Sequence, residues 1–419
     1  MTQKSTHHAN KYLEKECVIL GGGCSGLGLA YALSQQQQPI DCLVLEARAN
    51  YTHDKTWCFW EKNATPWTEL ATCHWSQWSY QEKNQAPIIH TSTQWRYYYL
   101  PSIIYYEKIQ QVLKNHSHIK LMLGQEITSV HGETKHKIPN NDYPWLIKTQ
   151  SGLTVKARRV IDTRPNHHTK SILYQCFFGI EINIKHLSTK TVALMHDMCS
   201  DHHGFRFNYI LPISPERILF EHTRFCSYPI DSPLLKRECI QAFKHKFPKI
   251  QLKYAPRHQT IEQDSLSTSG TVHREEYGCL PMGLIQNDTP SASDMGGISA
   301  GALRAASGYG FRRIQKWASQ TARQITQENQ KMLNSQPRRI THQYDPLWQK
   351  KMDALFLTTL KNNAEKGPQF FSQLANKLSS DTLVRFLSDQ SNWQDLIKII
   401  WSLPSWPFIK QSLRREKTV

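Results

Sequence analysis

The sequence lacks any run of about eighteen consecutive apolar residues, the length that a helix needs to cross a bilayer. Its start, MTQKSTHHANKYLEKE, is polar and has no apolar signal core. It has no internal repeat, and its low-complexity sequence is limited to the glutamine run at 35–38. These absences predict a globular protein without a transmembrane helix or a secretory signal. The 419 residues are enough for two domains with full cores.

The ten cysteines are scattered singly and form no C-x-x-C pair and no zinc-finger spacing. This distribution favours small buried thiols in a reducing cytoplasm over a disulfide framework. Three adjacent histidine pairs, at 7–8, 167–168 and 202–203, have no carboxylate or cysteine partner at ligand spacing. The sequence therefore predicts no metal site.

Acidic residues are scarce, since 34 aspartates and glutamates stand against 51 lysines and arginines. The formal net charge is +17, and the basic residues are spread along the chain. Nucleic acid or an anionic membrane surface would attract such a charge. No nucleic-acid-binding module is visible, so we do not expect nucleic acid as a partner. A membrane role and a merely basic, solvated surface both remain open at this point.

The stretch CVILGGGCSGLGLA at 17–30 carries the clearest local pattern. An apolar run ending at Leu20 predicts a buried parallel strand, and Gly21, Gly23 and Gly26 then give the spacing G-x-G-x-x-G. These glycines permit a tight turn, the approach of a pyrophosphate and close helix–strand packing. The next apolar strand ends at Glu46, twenty positions after Gly26, where a ribose hydroxyl would find an acceptor. Strand, glycines, helix and terminal acid together predict a dinucleotide-binding unit.

Aromatic residues are dense between residues 57 and 99. They suit either a long apolar ligand channel or a plain core. For Trp57, Phe59 and Trp60, which follow an Asp-Lys-Thr loop, physical reasoning favours the core over a ligand pocket.

Four strand-like runs between 175 and 225 predict an antiparallel sheet inserted into the nucleotide-binding domain. The last run, ILFEHTRF, places Glu221 among apolar neighbours. Burial of a carboxyl group raises its pKa and keeps it protonated, which would make Glu221 a candidate general acid. On the sequence alone, an edge or outward-facing position is the favoured alternative.

The end of the chain, at 345–419, is predicted to be helical and finishes in IIWSLPSWPF, followed by Lys410, Arg414, Arg415 and Lys417. An apolar, tryptophan-rich segment beside basic residues is typical of an interfacial membrane anchor. A terminal helix that packs on the domain explains the same pattern.

Residues 16–408 resemble the lycopene cyclases, which are flavoproteins of carotenoid synthesis. The resemblance rests on segments in the family's order: GGGCSGLGLA with LVLEAR, DKTWCFWE, VIDTRP, FRFNYILPIS, ILFEHTRF, LPMG with SGYGF, and WSLPSWPF. It implies a Rossmann-type FAD-binding domain with a three-layer ββα architecture, an inserted antiparallel-sheet substrate domain and a helical C-terminal region. The expected boundaries are 16–65 with 115–165 and 270–334 for the FAD-binding domain, 66–114 with 166–269 for the substrate domain, and 345–419 for the helical region.

The resemblance also implies a reaction. Lycopene cyclases isomerise linear lycopene to ringed carotenes, and bacterial members of this type usually form β-rings. An acid protonates a terminal double bond, and the resulting cation closes a ring and loses a proton. The family uses reduced FAD without net redox turnover, with NAD(P)H as the expected reductant. Because lycopene resides in the bilayer, we expect peripheral attachment to the cytoplasmic face of the membrane.

The resemblance assigns site residues by position. Its essential glutamate, in a Phe-Leu-Glu-Glu-Thr pattern, falls on Glu221, and its Met-Asp-Phe aspartate corresponds to Asp197. The expected FAD-binding residues are Gly21, Gly23, Gly26, Leu27, Glu46, Arg48, Asp162, Gly283, Gly297, Gly308 and Tyr309. Two departures matter: the second acid of the glutamate pattern is His222, and the aspartate is shifted to follow His196. They put a paired-carboxylate role and a catalytic Asp197 in doubt.

Two other functions remain open on the sequence. The first is a redox flavoenzyme on the same scaffold, either a monooxygenase or an isoprenoid reductase. The second is a non-enzymatic carotenoid-binding protein. Neither the number of rings formed nor the oligomeric state follows from the sequence.

Overall fold

A computed structural model describes residues 12–132, 143–165, 170–184, 191–254, 269–285, 293–330, 338–340, 342 and 345–413. Two of the histidine pairs, at 7–8 and 167–168, lie outside these residues. The basic residues Arg414, Arg415 and Lys417 also lie outside them.

The described residues form strands and helices with the following bounds. The strands are β1 (Leu13–Leu20), β2 (Cys42–Leu45), β3 (Thr56–Glu61), β4 (Cys73–Trp75), β5 (Gln77–Glu82), β6 (Ile88–Thr91), β7 (Arg96–Pro101), β8 (Ile119–Met122), β9 (Ile127–Gly132), β10 (Trp145–Thr149), β11 (Thr154–Asp162), β12 (Leu173–Asn183), β13 (Val192–Asp201), β14 (Gly204–Ser214), β15 (Arg217–Cys226), β16 (Gln251–Tyr254), β17 (Ser269–Met282) and β18 (Asp294–Met295). The helices are α1 (Cys24–Ser34), α2 (Pro66–Leu70), α3 (Ser102–Leu113), α4 (Ser232–Lys246), α5 (Phe311–Gln330), α6 (Leu347–Asn362), α7 (Gly367–Lys377), α8 (Ser380–Leu387), α9 (Trp393–Ser402) and α10 (Ser405–Leu413).

The first sheet is built on four parallel strands in the order β8–β2–β1–β11, and β10 and β9 extend it in antiparallel fashion. Side chains alternate along β1, so Ile19 packs under the helices while Val18 and Leu20 pack against the β9–β10 side. Helices α1, α3 and α5 cover the first of these faces. The predicted Rossmann-type ββα architecture is confirmed.

The second sheet has the order β16–β17–β12–β15–β14–β13–β5–β6 and is antiparallel over its centre. Strands β12 to β15 are the four runs predicted from the sequence. A small sheet, β3–β7–β4, carries many of the aromatic residues, and Trp60, Tyr97 and Tyr99 are fully buried there.

Two expected domain boundaries differ from the strand pairing. Strand β17 pairs with β12 along its length, so residues 269–282 lie in the antiparallel sheet and not in the FAD-binding segment expected from 270. Helix α3 packs on α1, so it joins the first sheet's helical layer although it falls within the expected substrate segment 66–114. In both cases a contact between elements distant in the sequence decides to which sheet the element belongs. Local sequence patterns do not contain this information.

The C-terminal helices pack on the second sheet, where Leu360, Phe370 and Leu374 join its aromatic core. A buried ion-pair network fixes them, because Arg304 contacts Asp353 at 3.0 Å and Asp389 at 2.7 Å. The predicted helical C-terminal region is confirmed. Among the described helices, none is both long and apolar enough to span a bilayer.

The β1–α1 turn requires glycine at Gly26. A Cβ at this position would lie 1.9 Å from the carbonyl oxygen of Gly21, which is backbone and cannot move aside. A Cβ at Gly23, whose φ is −81°, would meet no atom within 4 Å. The third glycine of the motif therefore serves packing, whereas the second borders open space.

We predict that Gly26→Ala destabilises the ligand-free protein by about 3 kcal/mol or more, at the upper end of the usual cost of overpacking. The measurement is urea unfolding followed by circular dichroism. Gly23→Ala is the matched control and should change the free energy of unfolding by less than about 1 kcal/mol. Equal effects of the two variants would refute the packing argument.

Candidate active site

A cavity of about 870 Å³ runs between the two large sheets and the C-terminal helices. Its polar end is lined by the β1–α1 turn and the end of β2, and its apolar end by β14, β15 and helices α6 to α8. One space therefore joins the nucleotide-binding motif to an apolar pocket. This arrangement suits a polar cofactor beside an apolar substrate.

Gly21 and Gly23 line the polar end where helix α1 begins. Gly21 has a φ of +91°, which a glycine adopts without strain. The first N–H groups of α1 have no partner within the helix and carry a partial positive charge. Together with the open space beside Gly23, they form a cradle that fits a phosphate group.

Glu46 lies at the end of β2 and lines the cavity. Its carboxylate accepts a hydrogen bond from Gly22 N at 2.6 Å and binds Arg48 Nε at 2.9 Å. Burial alone would raise the pKa of Glu46, but the hydrogen bonds from Arg48 and Gly22 outweigh it and hold the pKa below its usual value. Arg48 also binds Asp54 at 2.9 Å and lines the same part of the cavity. The pair thus offers fixed charge where a ribose is expected.

Gly308 and Tyr309 also line the cavity, next to the loop before α5. The hydroxyl of Ser307 lines it as well and is buried without a hydrogen-bond partner among the described residues. An unpaired buried hydroxyl is costly unless a ligand supplies a partner. This orphan group and the glycine cradle both fit a polar cofactor such as FAD.

The other five expected FAD-binding residues do not line the cavity. Gly26 and Leu27 are buried behind it in α1, and Asp162 binds Arg164, which does line it. Gly297 sits against Ser25, with its N–H bound to His342 at 2.8 Å. Gly283 packs against Ile172 at the end of β17, where Gly278 and Leu280 line the cavity instead.

The Asp-Lys-Thr loop contributes more to the cavity than the preference for core suggested. Residues 54–58 line the cavity, whereas Phe59 and Trp60 belong to the buried core. The loop and the first residues of β3 therefore lie beside the cavity. Trp57 both lines the cavity and packs against the core, so the preference for core is incomplete for Trp57 and right for the two residues after Cys58.

Glu221 lines the cavity from β15, a central strand between β12 and β14. The alternative of an edge or outward-facing residue is thus wrong. Thr223 Oγ1 donates a hydrogen bond to Glu221 Oε1 at 3.0 Å. Burial, followed by the negative charge of Glu276, raises the pKa of Glu221 to about 8. A carboxyl group with this pKa is mostly protonated at neutral pH.

Asp197 lies on β13 outside the cavity. Its φ is +53°, at an irregularity where β13 shifts register against β14, and its carboxylate binds Lys246 at 3.3 Å and Asn208 at 3.0 Å. It does not line the cavity, whereas Met195 of the same strand does. The structure therefore does not bring Asp197 and Glu221 into one pocket.

Aromatic side chains wall the apolar end. The hydroxyls of Tyr97, Tyr209 and Tyr309 form a hydrogen-bonded chain, in which Tyr97 lies 3.1 Å from Tyr309 and also contacts Tyr209. Further rings at this end come from the sheet and from helices α6 to α8, among them Phe207, Phe225, Phe356, Phe371 and Phe386. Their negative faces suit a passing positive charge, and their area excludes water.

Sequence reasoning missed Glu276 and its partner Arg274. Both lie on β17, where the segment HREEYG alternates charges between the two faces of the sheet. Three charged residues in the middle of a strand were a usable signal, but the segment was not identified as a strand. Within the described residues, no group of three or more His, Cys, Asp or Glu side chains could hold a metal ion.

Two curated relatives share most of this chain's length. A lycopene beta-cyclase from Pseudescherichia vulneris is 24% identical over 298 residues, which are 70% of this chain and 68% of the relative. A lycopene beta-cyclase from Pantoea ananas is 25% identical over 308 residues, which are 70% of each.

Solved structures with a similar fold include a geranylgeranyl bacteriochlorophyll reductase-like protein from Thermoplasma acidophilum. It has a TM-score of 0.58 and 11% identity, over 96% of this chain and 99% of that one. The p-nitrophenol 4-monooxygenase of Pseudomonas putida has a TM-score of 0.55 and 11% identity, over 96% and 100%. At this identity the likeness concerns the fold alone.

The family model described as "Lycopene cyclase protein" matches residues 16–413, which include both large sheets, the cavity and the C-terminal helices. The chain belongs to the lycopene cyclase family.

Proposed function

We propose that this chain is a lycopene β-cyclase, an intramolecular lyase that isomerises lycopene to β-carotene through γ-carotene. The feature that carries the proposal is the buried carboxyl group of Glu221, whose pKa is raised by burial, in a cavity walled by aromatic rings. The names of the two curated relatives support the same reaction. Acid-initiated cyclisation needs both a proton donor and a dry site, because water would trap a cation.

In the proposed reaction, Glu221 donates its proton to a terminal double bond of the polyene. A neighbouring double bond attacks the resulting tertiary cation, and the ring cation loses a proton. No atom is gained or lost overall. Thr223 holds one oxygen of Glu221, and the rings of Tyr209 and Phe225 face the same space and stabilise positive charge.

The cofactor that fits the polar end is FAD. Gly21, Gly23 and the N-terminus of α1 would hold its pyrophosphate, and Glu46 with Arg48 its ribose. When bound in its reduced form, with NAD(P)H as the reductant, FAD supplies negative charge that stabilises a nearby cation without net redox turnover. The loop with Ser307 and Gly308 lines the same cavity.

The alternative is an FAD-dependent monooxygenase or an isoprenoid reductase acting on a lipophilic substrate. The fold shared with a reductase-like protein and a monooxygenase favours it. Such an enzyme would change the mass of its substrate, whereas a cyclase would not. A protonated carboxyl group in the apolar pocket has a use in cyclisation and none that is evident in oxygen or hydride transfer.

We also propose that helices α9 and α10 attach the protein to the cytoplasmic face of the membrane. Seven large apolar side chains of these helices are exposed, with Trp401 at 81% and Trp406 at 70%. Lys398 and Lys410 are exposed on the same helices. On the inner side of α10, Phe408 stacks on Phe356, which lines the cavity. Helix α10 thus presents an apolar surface outward and contacts a pocket-lining ring inward.

Replacement of the ribose acceptor tests the cofactor assignment. Glu46→Ala should weaken FAD binding at least about tenfold, which corresponds to about 1.4 kcal/mol, because the cavity loses its acceptor and Arg48 loses one of its two carboxylate partners. Fluorescence titration with FAD measures this. Glu14→Ala, on an exposed position of β1, is the control. Unchanged affinity in Glu46→Ala would exclude the predicted ribose site.

Glu221→Gln tests the acid. It should reduce cyclisation by about 10²-fold or more, the usual contribution of a general acid, while FAD binding and the melting temperature stay near those of the wild type.

In the wild type, cyclisation should be constant at neutral pH and fall as the pH rises through about 8, because only protonated Glu221 donates. Conversion of lycopene by the purified protein in vesicles gives both results. Substantial activity in Glu221→Gln would remove this residue as the acid.

A double substitution tests membrane attachment. Trp401→Ser with Trp406→Ser should reduce co-sedimentation with anionic vesicles several-fold, since the variant exposes far less apolar area, and leave the melting temperature unchanged. Tyr254→Ser removes a 50% exposed aromatic ring on β16, at the far edge of the second sheet, and serves as the control. Equal sedimentation of all three proteins would contradict this surface as the anchor.

A further inference from the structure

The second acid expected from the family's glutamate pattern has no access to the cavity. His222 points to the opposite face of β15, where its Nδ1 lies 2.9 Å from Asn208 Oδ1 and its Nε2 lies 3.6 Å from Glu238. Successive residues of a strand alternate between faces. A side chain at position 222, whatever its type, cannot share the pocket with Glu221.

Another carboxylate, Glu276, occupies the place that residue 222 cannot reach. Strand β12 lies between β15 and β17, and its Gly179 is the register partner of Glu221 on one side and of Glu276 on the other. All three positions share one face of the sheet, and both glutamates line the cavity. The glutamates therefore flank a single glycine.

The glycine leaves the gap between the two carboxyl groups open. A Cβ at position 179 would lie 3.1 Å from Cγ and 3.4 Å from Oε1 of Glu276. The side chain of Glu276 thus extends over Gly179, the residue that separates it from Glu221.

Two groups bind the side chain of Glu276. Arg274 Nη1 lies 2.5 Å from its Oε2, and Thr56 Oγ1 donates to the same oxygen at 3.0 Å. Arg274 is itself fixed by Glu181 at 3.0 Å. The hydrogen bonds of Glu276 among the described residues thus go to Oε2, whereas Oε1 is the oxygen near Gly179.

The titratable and charged groups that face Glu221 come from several elements. They are Glu276 and Arg274 on β17, Tyr209 on β14, Tyr309 in the loop before α5 and Cys58 on β3. Burial raises the pKa of both tyrosines and of the cysteine, so these three groups are neutral at pH 7. Among the described residues, the charges that face Glu221 are therefore those of Glu276, which raises its pKa, and of Arg274, which lowers it by a smaller amount.

We infer that Glu276 is a positioning residue for the acid: across Gly179, its fixed negative charge keeps the proton on Glu221 until the substrate takes it. This inference rests on the proposed function and assigns the second carboxylate of the site to a strand 55 positions away from Glu221 in the sequence. A like charge nearby disfavours the ionised form of a carboxyl group. After burial, the charge of Glu276 is the next cause of the raised pKa of Glu221.

The test is a pH titration of Glu221 in the FAD-bound protein, followed by the infrared band of its protonated carboxyl group, which Glu221→Gln identifies by its loss. Glu276→Gln should lower the pKa of Glu221 by about one unit or more. The alkaline limb of the cyclisation profile should move to lower pH by the same amount, so activity above the limb falls about tenfold. A purely structural role would not move this titration.

Glu275→Gln is the matched control, because Glu275 is the adjacent residue on β17 and pairs with Lys236 at 2.7 Å on the opposite face. It should leave the pKa of Glu221 unchanged. An unchanged pKa in Glu276→Gln, or an equal shift in both variants, would overturn the inference.

If Glu276→Gln does not fold, Glu276→Asp decides. It retains the charge but moves it away by the length of one methylene group, so the pKa of Glu221 should fall by less than one unit. A constant or raised pKa of Glu221 in this variant would overturn the inference. The infrared titration needs no turnover, so a wild-type protein that titrates as expected but does not cyclise lycopene would refute the proposed function and not this inference.

Discussion

Desolvation of one carboxyl group, Glu221, is the constraint on which the rest of the site depends. Because a buried carboxylate is costly, burial raises the pKa of this group, and in the proposed reaction the apolar walls that exclude water would also protect the cation. The C-terminal helices complete these walls, because Phe371 and Phe386 close the side that the sheet leaves open. Helices α6 to α8, which follow both sheets in the sequence, thus form part of the pocket wall.

The two faces of the second sheet separate two kinds of chemistry. The cavity face carries Glu221 with a neutral tyrosine on one side and the Glu276–Arg274 pair on the other, while the opposite face carries a separate network in which Arg224 binds Asp201 at 2.7 Å and Glu238 at 2.6 Å. Strand alternation keeps them apart although Glu221 and Arg224 are only three residues apart. The substitution of a histidine at position 222 consequently alters the structural face and leaves the pocket intact.

The sequence was sufficient where a feature is local. The glycine turn, the strands β12 to β15 and the C-terminal helices follow from spacing and periodicity within short windows. Features set by long-range pairing were not accessible: the approach of Glu276 to Glu221 depends on β17 lying beside β12, and the location of Asp197 depends on a register shift in β13. The burial of Glu221 likewise depends on the position of β15 between β12 and β14, which its own sequence does not specify.

The most direct test of proton-initiated cyclisation is to run the reaction in heavy water and determine the mass of the carotene product. We expect one deuterium for each ring formed, because Glu221 would exchange its proton with solvent and deliver it to carbon, whereas a different hydrogen would be lost from the ring cation. A product that has gained oxygen or a pair of hydrogens would contradict the account. A ringed product without deuterium would contradict it equally, because the proton would then not come from an exchangeable acid.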